Sequence, residues 1–345
     1  MPTPLVAIYG ATGHTGRLVA AELLARGQHV ILSGRNAGAL HALAAELADP
    51  GHVRVHPAPL DDAAALRALA DDADVLVHCA GPFSVTGDPV ATACVEGGCH
   101  YIDHAVESFH VRHLFDAYQA SAQRAGIVLV PGLSFYGGVG DLLADAVADG
   151  LSDIDRVVVG YAVRGWMLTT AAKDTAAQLF AETERITFSD GAHHVGYVEP
   201  RNAVFAFPPP LGPRSMIAPF PSCDIVTIPR HVPARNVDLL LTAATFEEEG
   251  MFDSDDLDPA ARADSDFTVA VQTVARPAAS GRVTGHDLWR AAALASVEAA
   301  ARLAAGTGPA KHGVLSAAEA FPAEPFLRAL ERLGAFTVTL QRPGR

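Results

Sequence analysis

The stretch 9-YGATGHTGRLVAAELLARG-27 decides the fold. Ahead of it, 5-LVAIY-9 is a short apolar run and reads as a buried parallel strand. Behind it, Leu18, Val19, Ala20, Leu23 and Leu24 make the apolar side of a helix running from about Gly16 to Arg26, with Gly27 at its C-cap. Between strand and helix stand Gly10, Gly13 and Gly16, in the spacing GxxGxxG. Gly10 lets the strand turn sharply, Gly13 lets backbone approach a pyrophosphate, and Gly16 lets the helix pack close to the strand. The N–H groups of the helix N-terminus then face the phosphates. A glycine pattern alone is weak evidence, but a strand before it and a helix after it are the required context. Gly10, Ala11, Thr12, Gly13, His14, Thr15 and Gly16 therefore form the expected nucleotide-binding turn; a purely structural turn is the alternative.

The same rhythm continues outward. The strand-like runs are 29-HVILSGR-35, 53-VRVHPA-58, 74-DVLVHCAG-81, 100-HYIDH-104 and 126-GIVLVPG-132. They alternate with helical stretches at Ala37–Leu47, 61–70, Asp88–Gly97 and Phe109–Ala125. Strand and helix at this spacing predict a Rossmann-type, doubly wound parallel sheet over residues 1–135. The pattern then changes. Helices are expected at Gly140–Asp149, Thr170–Thr183 and Asp287–Ala305. Strands are expected at 155–163, 193–198, 202–207, 224-DIVTIPRHV-232, 237–246 and 267–276. Several of these alternate apolar and polar residues, which suits a sheet covered on one face. Loops rich in proline (208-PPPLGP-213) and acid (253-DSDDLD-258) separate them. Residues 136–310 read as a second, mixed α/β domain for substrate binding or dimerisation. Residues 311–345, helical with a final strand 336-FTVTL-340, are expected to pack back on the first domain.

Composition narrows the class. The chain has 345 residues, of which 50% are hydrophobic and 19% charged, so a large core can form. A formal net charge of -14 with no basic stripe argues against nucleic acid as a partner. No apolar run reaches the length of a membrane span, and MPTPLVAIYG lacks the charged start of a secretory leader, so a cytoplasmic protein is expected. Cys79, Cys94, Cys99 and Cys223 form no CxxC pair and read as free thiols.

The end of the second strand selects the cofactor. An acid there would accept hydrogen bonds from a ribose 2′-hydroxyl, but the chain has 33-SGRN-36. Arg35 can pair with a 2′-phosphate and stack on adenine, and Ser33 and Asn36 can donate to the same phosphate. NADP is the expected cofactor. At the end of the fourth strand lies 79-CAGPFSVTGDPV-90. There Cys79, Ala80 and Gly81 leave room for cofactor, and Pro82 and Phe83 shape a wall beside the nicotinamide.

These motifs together resemble the saccharopine dehydrogenase-like family of NADP-dependent oxidoreductases. The likeness rests on GATGHTGRLVA, CAGPF with the following G-x-P-V, ACVEGGCHYIDHAVE, PGLSFYGGVGDLLADAVA, PSCDIVTIPRHV and GVLSAAEAF. It covers most of the chain and is strongest over residues 5–145. It implies a Rossmann domain, a second α/β domain and hydride transfer at the cleft between them. The implied reaction is reduction of a C=N (imine) bond, or of a conjugated C=C (enoyl) bond as in trans-acting enoyl reductases that serve polyketide synthases. The substrate is then a small or carrier-linked metabolite. The chain departs from the family at 100-HYIDHAVE-107, where relatives more often have a small or apolar residue after the aspartate and a glycine before the glutamate.

Such a reduction leaves an atom to be protonated. The candidates are Tyr136, just after the sixth strand, then His104 with Asp103 at the carboxyl edge of the sheet. Lys173 is a further candidate and reads better as a surface residue. Trp166 and Met167 can floor a substrate pocket or pack in a core. His104, Glu107 and His110 can also be arranged as metal ligands, but the favoured account is a loop followed by a helix with solvated histidines, and no metal is expected. The Tyr-x-x-x-Lys pair of short-chain reductases is absent here. A non-catalytic NADP(H)-sensing regulator on the same fold therefore stands as the alternative function. The faces of the second-domain sheet can pair two subunits into a homodimer.

Overall fold

The computed structural model describes residues 4–248, 251 and 263–343, and the acidic run 253–258 lies outside them. The chain divides into two compact units. The first takes the residues up to Ala105, His110–Ser134 and Ala292–Leu315. Its elements are β1 (Leu5–Tyr9), α1 (His14–Ala25), β2 (His29–Gly34), α2 (Ala37–Leu47), β3 (Val53–Pro57), α3 (Ala63–Asp72), β4 (Val75–His78), α4 (Phe83–Gly97), β5 (His100–Asp103), α5 (Ser108–Ala125) and β6 (Val128–Val130). The strands form one parallel sheet in the order β3-β2-β1-β4-β5-β6, extended beyond β6 by β15 (Gly313–Val314). The apolar runs follow from this: β1 and β4 are buried along almost their whole length, because helices cover both faces. Strand order reverses between β1 and β4, the place where doubly wound sheets bind ligands at the carboxyl ends of their strands.

The second unit takes Val106–Phe109, Phe135–Ala291 and the residues from Ser316 onward. It comprises α6 (Gly140–Ala148), β7 (Ile154–Arg164), α7 (Thr170–Ala181), β8 (Glu184–Ser189), β9 (Ala192–Tyr197), β10 (Arg201–Ala206), β11 (Pro213–Ala218), α8 (Asp224–Thr227), β12 (Ala234–Thr242), α9 (Ala244–Glu247), β13 (Asp266–Val274) and β14 (Ser280–His286), then the start of α10 (Leu288–Ala304). Short helices α11 (Ala317–Ala320) and α12 (Ala323–Arg332) and strand β16 (Thr337–Gln341) follow β15. The second sheet runs β10-β11-β12-β7-β13-β14-β16, with β8 and β9 branching from β12. It is mixed: β7 and β12 are parallel and the remaining pairs antiparallel. One face of it carries a cluster of Phe205, Phe207, Met216, Leu240 and Ala162. Among the described residues no helix is long and apolar enough to cross a membrane. All four cysteines are free thiols.

Four expectations change. The helix after β4 begins at Phe83, not Asp88, with Pro82 at its N-cap and Pro89 inside it. The Thr86 hydroxyl donates to the carbonyls of Ala80 (2.6 Å) and Pro82 (3.1 Å) and ties the new first turn to the strand end. Residues 224–232 are not a strand. They form α8 and a tight turn at Ile228–Arg230, because Asp224 is held by a partner on β7 and Pro229 cannot donate to a sheet. The C-terminal residues also separate. Gly313 and Val314 join the first sheet, whereas residues from Ser316 on belong to the second unit, where β16 pairs with β14. Residues 292–310, expected in the second domain, belong to the first unit, where Arg26 of α1 pairs with Glu298 of α10 at 3.0 Å.

An ion pair anchors α6 within the second unit. Asp141 Oδ1 meets His231 Nε2 at 2.7 Å, Asp145 meets His231 Nδ1 at 3.2 Å, and the Ala318 N–H donates to Asp141 Oδ2 at 2.9 Å. Burial alone would lower the His231 pKa, but Asp141 and Asp145 outweigh it and raise it to about 10. Burial would likewise raise the Asp141 carboxyl, yet His231 and the Ala318 N–H hold it below its ordinary value. A histidine pKa raised on folding adds stability below its unfolded value of about 6.5 that is lost as pH climbs through the folded value. His231→Gln should therefore cost about 1.5–3 kcal/mol near neutrality. The gap between the two melting curves should narrow as pH approaches 10. A gap that stays constant over that range would contradict the assignment.

Candidate functional site

The turn between β1 and α1 is shaped by backbone contacts that leave no room for side chains. Gly10 sits at φ +83°, and a Cβ there would stand 2.8 Å from Ala80 Cβ and 2.9 Å from Ala80 N. A Cβ on Gly16 would strike the Gly10 carbonyl oxygen and come within 2.8 Å of Ala11 Cα. The Ser33 carbonyl accepts from Gly10 N at 2.9 Å and Ala11 N at 3.1 Å, which bends the chain over the end of β2. Gly13 N–H returns to the Gly10 carbonyl at 3.1 Å. Gly13 is the exposed N-cap of α1 and offers no side-chain cap. The first-turn N–H groups have no intrahelical acceptor, and the helix dipole places partial positive charge there. A turn of this kind can hold an anionic ligand. Thr12 is partly buried, and its carbonyl accepts from Arg17 Nε at 3.3 Å. His14 and Thr15 are partly exposed in the first turn of α1.

Past β2, Arg35 is exposed and forms no ion pair with another described residue. Asn36 caps α2: its Oδ1 accepts from Ala39 N at 3.0 Å, leaving the side-chain NH₂ as the donor. Ser33 is fully buried in β2, its backbone carbonyl shapes the turn, and its hydroxyl has no hydrogen-bond partner among the described residues. A cofactor with a 2′-phosphate thus fits Arg35 and the Asn36 amide, with no acid between Ser33 and Asn36 to repel it.

At the end of β4, Cys79, Ala80, Gly81 and Pro82 are partly buried. Burial and then the Asp103 carboxylate push the Cys79 thiol up, so it stays protonated. Phe83, expected as a cofactor wall, is buried. Its ring packs edge-on against His78 at 5.0 Å and tilts over His110 at 6.1 Å.

Asp103 ends β5 fully buried and saturated. Its Oδ1 accepts from Gly132 N (2.7 Å) and Ala105 N (3.0 Å), and its Oδ2 from Tyr101 OH (2.9 Å) with His110 Nε2 at 3.1 Å. His78 Nδ1 continues the string at 3.1 Å from Tyr101 OH. Burial would raise the Asp103 carboxyl, but His110 and the two N–H groups reverse the sign and lower it. Such a carboxylate organises its surroundings and has no proton to give. Burial lowers His78 to about 3 and His104 to about 4, so both imidazoles are neutral at pH 7. The Nε2 of His104 is buried without a hydrogen-bond partner among the described residues. His110, expected in solvent, lies against Gly87, where a Cβ would come within 2.9 Å of its Nδ1. His113 is exposed and pairs with Asp88 at 2.9 Å. Glu107 is buried in the second unit, accepts from Val106 N at 2.9 Å and bridges to Ser222.

Tyr136 belongs to the second unit, in a kinked turn before α6. Gly137 takes φ +98° there, which only glycine adopts easily, and its N–H points to Tyr161 OH at 3.4 Å. Tyr161 in turn bonds Asp224 Oδ2, and a Cβ on Gly140 would collide with that pair. Burial raises the Asp224 carboxyl to about 8, against the pull of Tyr161, so it is largely neutral at pH 7. Burial also pushes the Tyr136 hydroxyl up, so it is a hydrogen-bond donor. His78, Tyr101, Tyr161 and Asp224 were not singled out from sequence. A histidine inside the apolar run DVLVHCAG and an aspartate inside PSCDIV were the available signals.

Residues 6–130 match the family model described as the saccharopine dehydrogenase NADP binding domain. A probable mitochondrial saccharopine dehydrogenase-like oxidoreductase of Arabidopsis thaliana is 30% identical over 148 residues, which cover 39% of this chain and 33% of that protein. A trans-acting enoyl reductase of Mycobacterium tuberculosis is 27% identical over 212 residues, 54% of this chain and 50% of the relative. The chain thus spans a third to a half of the length of these relatives. Apo saccharopine dehydrogenase (L-Glu forming) from Saccharomyces cerevisiae superposes with a TM-score of 0.66 at 11% identity, over 98% of this chain and 99% of that one. At that identity the likeness speaks for the fold.

Proposed function

The chain carries the NADP-binding domain of the saccharopine dehydrogenase family over residues 6–130, and on that premise we propose that it is an NADPH-dependent reductase. Its substrate is a small or carrier-linked metabolite with a C=N or conjugated C=C bond. The observation that carries this reading is the glycine cradle at the carboxyl edge of the sheet, followed by an exposed arginine where an acid would select NADH. The relatives named as oxidoreductase and enoyl reductase support the reaction class.

NADPH, when bound, supplies the hydride. The chain's part is to hold and orient it. The first turn of α1 takes the pyrophosphate, with Gly10 to Gly16 bringing backbone close. Arg35 and the Asn36 amide take the 2′-phosphate. Asp103 acts as a positioning residue, fastening the ends of β5 and β6 through Ala105 N and Gly132 N. His104, neutral and with a ring nitrogen that has no partner among the described residues, is placed at the end of β5 to hydrogen-bond a reacting molecule.

Arg35→Asp tests the cofactor assignment. NADPH affinity should fall roughly ten- to a hundredfold, the worth of one or two charge-assisted hydrogen bonds, while NADH binding is unchanged or tighter. NADPH affinity equal to that of the unmodified protein would refute it. Turnover over a panel of cyclic imines and enoyl thioesters then assigns the acceptor. Tight NADPH binding without turnover of either class would point instead to an NADP(H)-sensing regulator.

A further inference from the structure

Two neighbouring tyrosines of the second unit differ in one respect. The Tyr161 hydroxyl is spent: it bonds Asp224 Oδ2 and accepts from Gly137 N. The Tyr136 ring centroid lies 5.1 Å from that of Tyr161; Tyr136 is 8% exposed, and its hydroxyl has no hydrogen-bond partner among the described residues. The Trp166 ring adjoins Tyr136 at 5.4 Å, and its indole N–H is likewise buried without a partner. Phe220 closes the cluster at 5.1 Å from Tyr136 and 5.8 Å from Tyr161.

A buried O–H or N–H left unpaired is costly, and two on adjoining rings call for a use. Both bare groups here are donors: tyrosine burial keeps the phenol protonated, and an indole nitrogen can only donate. Their complement is an acceptor oxygen. The rings around them are apolar and flat, which suits an aliphatic or conjugated chain beside that oxygen. No ring of the cluster carries a positive charge, so nothing there offsets the cost of taking an anion out of water. We propose that Tyr136, Trp166 and Phe220 form a binding site for an uncharged acyl group, with Tyr136 O–H and Trp166 N–H donating to its carbonyl oxygen.

The site favours the enoyl thioester over an imine that bears carboxylates. Its use as the substrate site rests on the reductase reading, but its existence does not. The probe is trans-2-hexenoyl-N-acetylcysteamine, titrated calorimetrically into the full chain without NADPH, beside the trans-2-hexenoate anion. Saturable binding of the thioester, with the anion at least about tenfold weaker, is expected. Tyr136→Phe removes only the hydroxyl. It should weaken thioester binding by roughly three- to tenfold, one net hydrogen bond, and leave the melting temperature unchanged or higher because an unpaired polar atom is gone. Trp166→Phe should weaken binding similarly.

A hydroxyl with a merely structural role would give the reverse pattern, a lower melting temperature and unchanged binding. That result, equal binding of the anion, or no saturable thioester binding would overturn the proposal. Thioester binding that depends on Tyr136, in a protein that neither binds nor oxidises NADPH, would leave the site standing and remove the reductase reading. NADPH-dependent imine turnover indifferent to Tyr136→Phe, without thioester binding, would do the opposite.

Discussion

Gly16→Ala is expected to weaken NADPH binding on the order of a hundredfold while the protein stays folded. The added methyl would meet the Gly10 carbonyl oxygen, Ala11 Cα at 2.8 Å and the Ala11 carbonyl carbon at 3.0 Å, all of them backbone. No side chain can rotate away, so the turn itself must move. Overpacking of this kind costs about 1–3 kcal/mol, and alanine returns about 1 kcal/mol of helix propensity over glycine, so net stability changes little. Affinity does not share that compensation. The displaced turn misaims the N–H groups of the first turn of α1, each worth about 1.5–3 kcal/mol to a charged acceptor. Fluorescence titration with NADPH, beside a thermal melt, separates the two effects. Unchanged affinity would mean that the phosphates lie elsewhere.

Asp103→Ala should destabilise the protein by ~3–5 kcal/mol, the cost of removing one member of a buried charged network. Four groups lose their acceptor at once: Gly132 N, Ala105 N, Tyr101 OH and His110. The pH dependence follows from the lowered Asp103 pKa. A carboxyl depressed on folding stabilises above its unfolded value of about 3.9 and loses that contribution as pH falls through the lower folded value. The difference in melting temperature between the unmodified protein and Asp103→Ala should therefore shrink under acid, below about pH 4. Asp103→Asn should recover part of the loss, since its carbonyl oxygen can still accept from the backbone. A variant as stable as the parent would show that the network is incidental.

How far the sequence reveals this molecule depends on the range of the interaction. The β1–α1 turn is legible because its three glycines stand within seven residues and the Gly16 contact with Gly10 and Ala11 is local; the Gly10 contact with Ala80 is not. The alternation of strand and helix up to β6 is legible because apolar runs and glycine caps are local as well. The start of α4 is not. Gly87 and Pro89 look like breakers, but Gly87 exists to admit the His110 ring from another helix. Likewise 224-DIVTIPRHV-232 has the β-branched run of a strand, and its contact with Tyr161 makes it a helix. Asp103 could be placed at the sheet edge from its strand, but a partner at Gly132, in another strand end, could not be foreseen. Its four hydrogen-bond partners suit it to a positioning role. Burial of Ser33 and Phe83 depends on the sheet and helices packed over them, which the sequence of either segment does not reveal.

Hydride transfer itself is the most direct measurement. The protein, NADPH deuterated at both C4 positions and an enoyl thioester are mixed, and the product is read by mass spectrometry. The expected product is a saturated thioester that carries a single deuteron on the carbon that accepted the hydride, with no label from NADH deuterated at the same positions. Tight NADPH binding with no label in the thioester, or in a cyclic imine run in parallel, would contradict it.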